Sequence, residues 1–164
     1  MHHYINMLIA DCEAAKQAKA RRTFVGVGRY GRHDSVTPDL SQLRTYESAI
    51  YVIEQIGGEP KKTFDALKDY KAQGQRSCPK LNAESPVLYV GSSIGNVGQR
   101  LSQHIGPTNM LKTYALHLNC WFDGEYKITV EEFDVPPTVL QILEDAKSHH
   151  LKPAFGKMGG NNGG

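Results

Sequence analysis

The stretch Leu88-Tyr89-Val90-Gly91-Ser92-Ser93-Ile94-Gly95-Asn96-Val97-Gly98-Gln99-Arg100-Leu101-Ser102-Gln103-His104 constrains the fold more than any other part of the chain. Leu88 to Val90 reads as a short buried strand, and Gly91 to Gly98 as a glycine-rich turn. Beyond the turn, Val97, Leu101 and Ile105 fall at i, i+4 and i+8, the period of a helix with one buried face. Arg100 and His104 are also four apart and share a neighbouring stripe of that helix. A tyrosine leaving a strand, a turn of free backbone N–H groups, and Arg plus His on one helical face form a set able to grip a phosphate.

The flanking segments supply a scaffold for that unit. Ile5, Leu8, Ile9 and Cys12, followed by alanines at 14, 15, 18 and 20, predict an N-terminal helix of about five turns with a basic end. Phe24 to Arg32 contains Gly26, Gly28 and Gly31 in G-x-G-x-x-G register, but a basic helix precedes it and Arg32-His33-Asp34-Ser35 follows. A dinucleotide fingerprint needs a strand before and a helix after, so the stretch reads as a flexible basic loop. Ser48 to Ile53 alternates, with Ile50 and Val52 on one strand face and Tyr51 and Ile53 on the other. Gly57, Gly58 and Pro60 end that strand, and Thr63 to Lys71 reads as a short amphipathic helix. Lys112 to Phe122 and Tyr126 to Phe133 read as two strands joined by an Asp123-Gly124 hairpin turn. Pro136-Pro137 opens a last helix whose buried face is Val139, Ile142, Leu143 and Ala146, with Glu144 just off that face. The expected fold is α+β: a small, mainly antiparallel sheet of three or slightly more strands, flanked by helices.

Bulk properties leave function open but prune it. At 164 residues the chain suits one domain with its own core. A net charge of +2 neither demands nor excludes nucleic acid. Its distribution says more: residues 1–32 hold six Lys or Arg against Asp11 and Glu13, enough for a phosphate-facing patch, though basic residues also complement a helix dipole. Cys12, Cys78 and Cys120 match neither a zinc nor a disulfide pattern. With no run near the ~20 apolar residues of a membrane span and no signal-peptide pattern, a cytoplasmic protein without membrane partners is expected.

Tyr89-Val90-Gly91 followed by Arg100 and His104, with Ala49-Ile50-Tyr51 upstream, resembles the core of the GIY-YIG nucleases. Glu144 on the last helix, then Lys152-Pro153 and Asn161-Asn162, supply the remaining marks in family order. Each mark alone is ordinary: a strand tyrosine is usually packing and a helical glutamate usually solvated. The sequence departs from the family in Ala49, which stands for a glycine, in the 37 residues between Tyr51 and Tyr89, and in the distance of Asn161 from Pro153. The long connection is similar to that of the family's restriction endonucleases.

The resemblance implies a metal-dependent DNA endonuclease of restriction type, with residues 48–162 as catalytic core, 57–85 as an insertion and 1–47 as a DNA-contacting extension. Tyr51 or Tyr89 would deprotonate the attacking water, which for a phenol of pKa near 10 requires about 4 kcal/mol of help at pH 7. Arg100 would pair with the scissile phosphate, His104 would act as donor or second base, and Glu144 would hold Mg²⁺ or Mn²⁺, with Asn161 completing the set. Arg21, Arg22, Arg29, Arg32, Lys61, Lys62 and Lys80 are the candidate contacts to double-stranded DNA. A cognate methyltransferase is expected for a restriction enzyme. A homodimer on DNA or sequential nicking by a single copy would each cut both strands. Rival readings are a non-catalytic nucleic-acid-binding module and an acyl-CoA-dependent N-acetyltransferase. The latter lacks its R/Q-x-x-G-x-G/A register here.

Overall fold

Strand β2 (Ser48–Ile56) is apolar on both faces and is buried from Ala49 through Ile53, so it can only be an interior strand. The computed structural model, which describes residues 1–75, 77–106 and 113–158, places it there. With β1 (Arg22–Tyr30), β3 (Val87–Ile94) and β4 (Gly124–Glu132) it forms one sheet in the order β1-β4-β2-β3, every neighbouring pair antiparallel. Helices α1 (His2–Gln17), α2 (Pro60–Ala72), α3 (Val97–Ile105), α4 (Leu118–Trp121) and α5 (Pro137–Leu151) flank the sheet, with a 3₁₀ turn at Ser41–Thr45. The fold is α+β, with a four-stranded antiparallel sheet. None of the helices is long and apolar enough to cross a membrane among the described residues.

Strand alternation divides the core in two. Tyr51 and Ile53 join the larger cluster with Leu67, Leu101, Leu116, Tyr126 and Phe155. Ile50 and Val52 face the other way, against Val90, Phe133 and Leu140 under α5. The segment between β2 and β3 contributes to the core: Leu67 of α2 is fully buried, and Phe64 stacks on Phe155 at 5.7 Å.

Several sequence expectations are corrected. The glycine-rich stretch Phe24 to Tyr30 is not a loop but lies in edge strand β1, where Phe24, Gly26 and Gly28 alternate as its buried face. Those glycines are spacers. A Cβ on Gly28 would stand 2.8 Å from the Val36 carbonyl and closer still to the Tyr126 ring. The hairpin expected at Asp123-Gly124 is absent among the described residues, outside which Lys112 of its expected first strand lies. Leu118 to Trp121 is helical, and β4 instead pairs with β1 and β2, because its alternating Tyr126, Ile128 and Val130 have two strands to pack between. The turn after Val90 is shorter than expected: Gly91 to Ile94 continue β3, leaving Gly95 and Asn96 in left-handed conformation to start α3. On α5, Ala146 is exposed and Leu140 takes the buried place.

The edge strand is tied to β4 by charge. Arg22 donates from Nε to Glu132 Oε1 at 2.8 Å, while its guanidinium lies 4.1 Å from the Tyr46 ring centre. Glu132, 3% exposed, also accepts the Glu47 N–H at 2.8 Å, and the Arg22 bond first of all holds its carboxyl below the usual value.

Gly28→Ala should therefore cost about 1–3 kcal/mol, the range for forcing extra volume into a packed site. Denaturant unfolding measures this. An unchanged midpoint would show that the Tyr126 ring moves aside freely.

Candidate active site

Tyr51 stands opposite Gly91 in the β2–β3 register. With a side chain at 91, a Cβ would lie 2.6 Å from Tyr51 Cζ, so the missing side chain lets the tyrosine ring lie across the edge strand. There Tyr51 Oη meets His104 Nε2 at 3.1 Å. Tyr89, two residues before Gly91 on the same face, stacks beside Tyr51 at 6.2 Å between ring centres and lies 4.4 Å from the His104 ring. Gly156, at φ +93°, fits against the other side of Tyr89, where a Cβ would come within 2.7 Å of the ring.

His104 is fully buried, and burial, followed by the nearby Arg100 charge, holds its pKa well below the usual value. It is therefore neutral. The Leu116 N–H donates to its Nδ1 at 3.2 Å, which places the ring proton on Nε2. His104 then donates to Tyr51 Oη. In this arrangement it is a donor and not a base, and the Tyr51 hydroxyl proton is left to point elsewhere.

Both phenols are buried, Tyr51 at 1% and Tyr89 at 9% exposure. Burial raises both pKa values, so both are neutral at rest. The Arg100 guanidinium lies close enough to both phenol oxygens to oppose that rise, and the Glu144 carboxylate close enough to add to it. Arg100 is half-exposed and donates to Gln103 Oε1 at 2.9 Å.

Glu144 arrives from the opposite layer. Ser92 points to the α5 side of β3, and its hydroxyl donates to Glu144 Oε2. Burial pushes the Glu144 carboxyl up, and the Ser92 bond and Lys157 oppose this. The set thus straddles β3. Among the described residues no group of three or more His, Cys, Asp or Glu converges on a metal-sized space. Magnesium, however, keeps most of its waters and takes one or two carboxylates plus phosphate oxygens. A single half-buried carboxylate oriented by a hydroxyl is a donor set of that kind, so Glu144 could hold such an ion.

The sequence-derived residues therefore separate. Tyr51, Tyr89, Arg100, His104 and Glu144 come together. Asn161 lies outside the described residues. Lys80 sits nearby through its main chain, whose carbonyl accepts the Gly156 N–H at 2.8 Å. Lys61 and Lys62 open α2 beyond the far end of β2, roughly 17 Å along the strand from Tyr51. There they pair with Asp65 and Glu59. Arg22 and Arg29 lie on the other sheet edge in ion pairs with Glu132 and with Asp34 and Glu125. Arg21 and Arg32 are exposed. The sequence reading missed Ser92, Leu116, Gly156 and Lys157. Only Gly91 carried a signal for its role, as the residue that strand pairing sets against Tyr51.

Searches against known families, curated proteins and solved structures found no match.

The neutral His104 has a consequence for stability. Between its depressed folded pKa and the ordinary value of about 6.5, the unfolded chain takes up a proton that the folded chain does not. This contribution is present above pH ~6.5 and is lost as pH falls below it. The melting temperature should drop between pH 7.5 and 5.5, and His104→Gln should flatten that drop. Equal slopes in the two proteins would show that other groups govern it.

Proposed function

We propose that the chain is a metal-dependent endonuclease of the GIY-YIG type that hydrolyses phosphodiester bonds in double-stranded DNA, with a site-specific, restriction-type role. The observation that carries the reading is the convergence of two tyrosines, an arginine, a neutral histidine and a glutamate around one edge strand, from positions spread over 94 residues of sequence. Here the sheet has a fourth strand, β1, on the edge opposite the site.

In this reading Tyr51 is the base. Its oxygen receives the His104 N–H and feels the Arg100 charge, and both interactions favour the phenolate needed to take a proton from water. Arg100 pairs with the scissile phosphate and stabilises its growing charge. Tyr89 packs against Tyr51 and His104 and fixes their orientation. Glu144, once ionised, is the carboxylate available to a divalent cation. Such an ion, when bound, supplies positive charge to the phosphate and the leaving oxygen. Lys157, whose charge reaches Glu144, and the exposed Lys80, whose carbonyl accepts the Gly156 N–H, are the lysines we assign to neighbouring phosphates.

The second reading, a nucleic-acid-binding module without catalysis, draws on one observation: Tyr51 is almost wholly buried and its phenol is neutral at rest. Cleavage of supercoiled plasmid and phage DNA separates the two. Discrete fragments should form with Mg²⁺ and not with EDTA. Tyr51→Phe, Arg100→Ala and Glu144→Gln should each lower the rate by about 10² or more. DNA binding without cleavage under any divalent ion would favour the module, and a dead Tyr89→Phe beside an active Tyr51→Phe would move the base to Tyr89.

The rate should also rise with pH through an ionisation above the ordinary carboxylate value, because Glu144 must lose its proton to serve. A lower limb at or below the ordinary value would assign that ionisation elsewhere. Lys80→Ala with Lys157→Ala should weaken DNA binding at all sequences and reduce the salt slope by about 2. An unchanged slope would remove both from the DNA surface.

A further inference from the structure

Helix α1 is amphipathic in sequence yet almost unpartnered in the fold. Met1, Tyr4, Leu8, Ile5 and Ile9 fall on one side of the helix together with Ala15. The end of this stripe is seated: Ala15 is buried, and Ala18, just beyond the helix, packs on the cluster under α5. The rest continues past its support, with Met1 96%, Tyr4 65%, Ile5 45%, Leu8 44% and Ile9 56% exposed. Among the described residues the helix packs chiefly on α5 and makes no comparable contact with the sheet.

The exposed half of the sheet belongs to β1 and β4. α5 covers Ile50, Val52 and Val90 on the β2–β3 side. On the same face Val25 and Val27 stand 58% and 51% exposed, opposite Thr129 and Lys127. Most of its described charges are paired: Arg29 with Asp34 and Glu125, Lys127 with Glu54 at 3.0 Å, and Lys147 with Glu131. A face whose charges are largely paired around two valines, with the exposed Arg21 just before β1, offers little to a phosphate backbone, which needs uncompensated cations.

We infer that these two surfaces form an interface with a second copy of the chain, in which the α1 stripe of each protomer covers the Val25–Val27 half-sheet of the other. Three observations select that occupant. The chain carries both an exposed apolar helix stripe and a sheet half with two exposed valines among paired charges, so two copies satisfy both at once about a two-fold axis. The stripe is continuous with the α1–α5 packing already present, which fixes the helix as a projecting arm. The five helix residues and two valines, each between 44% and 96% exposed, together present an area on the order of the ~800 Å² each partner contributes to a stable interface. This inference does not depend on the nuclease reading.

The test is the molar mass of the full chain in solution, by light scattering or sedimentation, without DNA. At about 50 µM, above the micromolar end of affinities for such interfaces, the protein should be a dimer. Leu8→Glu and Val27→Glu, on separate elements, should each give a monomer with unchanged circular dichroism. Where one variant fails to fold, the other decides. A monomeric wild-type protein, a dimer that survives both substitutions, or a dimer that forms only when DNA is added would each overturn the inference.

Discussion

The arrangement of the central site depends on one contact, the Tyr51 hydroxyl against His104 Nε2. It is possible only because Gly91 lets the ring cross β3 and because the Leu116 N–H occupies the other imidazole nitrogen. A protonated histidine would carry a buried charge beside Arg100, and the opposite tautomer would leave the Leu116 amide facing an N–H. Burial, tautomer and strand register therefore agree on a single proton arrangement. Three elements, β2, β3 and α3, are locked to one another through a side chain that is polar only at its tip.

The same contact sets a tension within the site. Burial alone drives both tyrosines to hold their protons, and Glu144 reinforces that tendency. Arg100 and the His104 donor oppose it. Groups pushed in opposite directions by a shared surrounding are common where protons must move, and they also occur in inert cores. What distinguishes this cluster is the half-exposed Arg100 beside two buried phenols, a cation open to an anionic ligand with the phenols behind it.

Much of this was legible in the sequence because it rests on local period. Tyr51 and Ile53 opposite Ile50 and Val52, the α3 face of Val97, Leu101 and Ile105, and the proline start of α5 all follow from spacing alone. The failures share a cause, which is that a partner distant in sequence decided the outcome. Gly26 and Gly28 looked like loop residues until Phe24, Pro38 and Tyr126 filled the space above them. Asp123-Gly124 has hairpin chemistry, but Leu116 is buried from irregular chain and Leu118 from the short helix that follows it, so among the described residues no strand leads into the turn. The link from Ser92 to Glu144 could not be read at all, since it requires knowing that α5 lies under the edge of β3.

The connection between β2 and β3 consists of two parts with different freedoms. Its second part is fixed to the chain that returns after α5: Asn82 holds the Pro153 and Gly156 carbonyls at 3.1 and 3.0 Å, and its own N–H bonds Ala154. Ala154 and Phe155 in turn bond the main chain of Val87 and Leu88. The first part ends α2 at an exposed turn where Gly74, at φ +92°, has open space above it. Extra residues at that turn would lengthen a closed loop at an entropic cost that grows only logarithmically. Chain length can thus drift at Gly74 while the Asn82 clasp keeps β3 and its tyrosine in register, which makes this turn the natural place for such chains to differ in size.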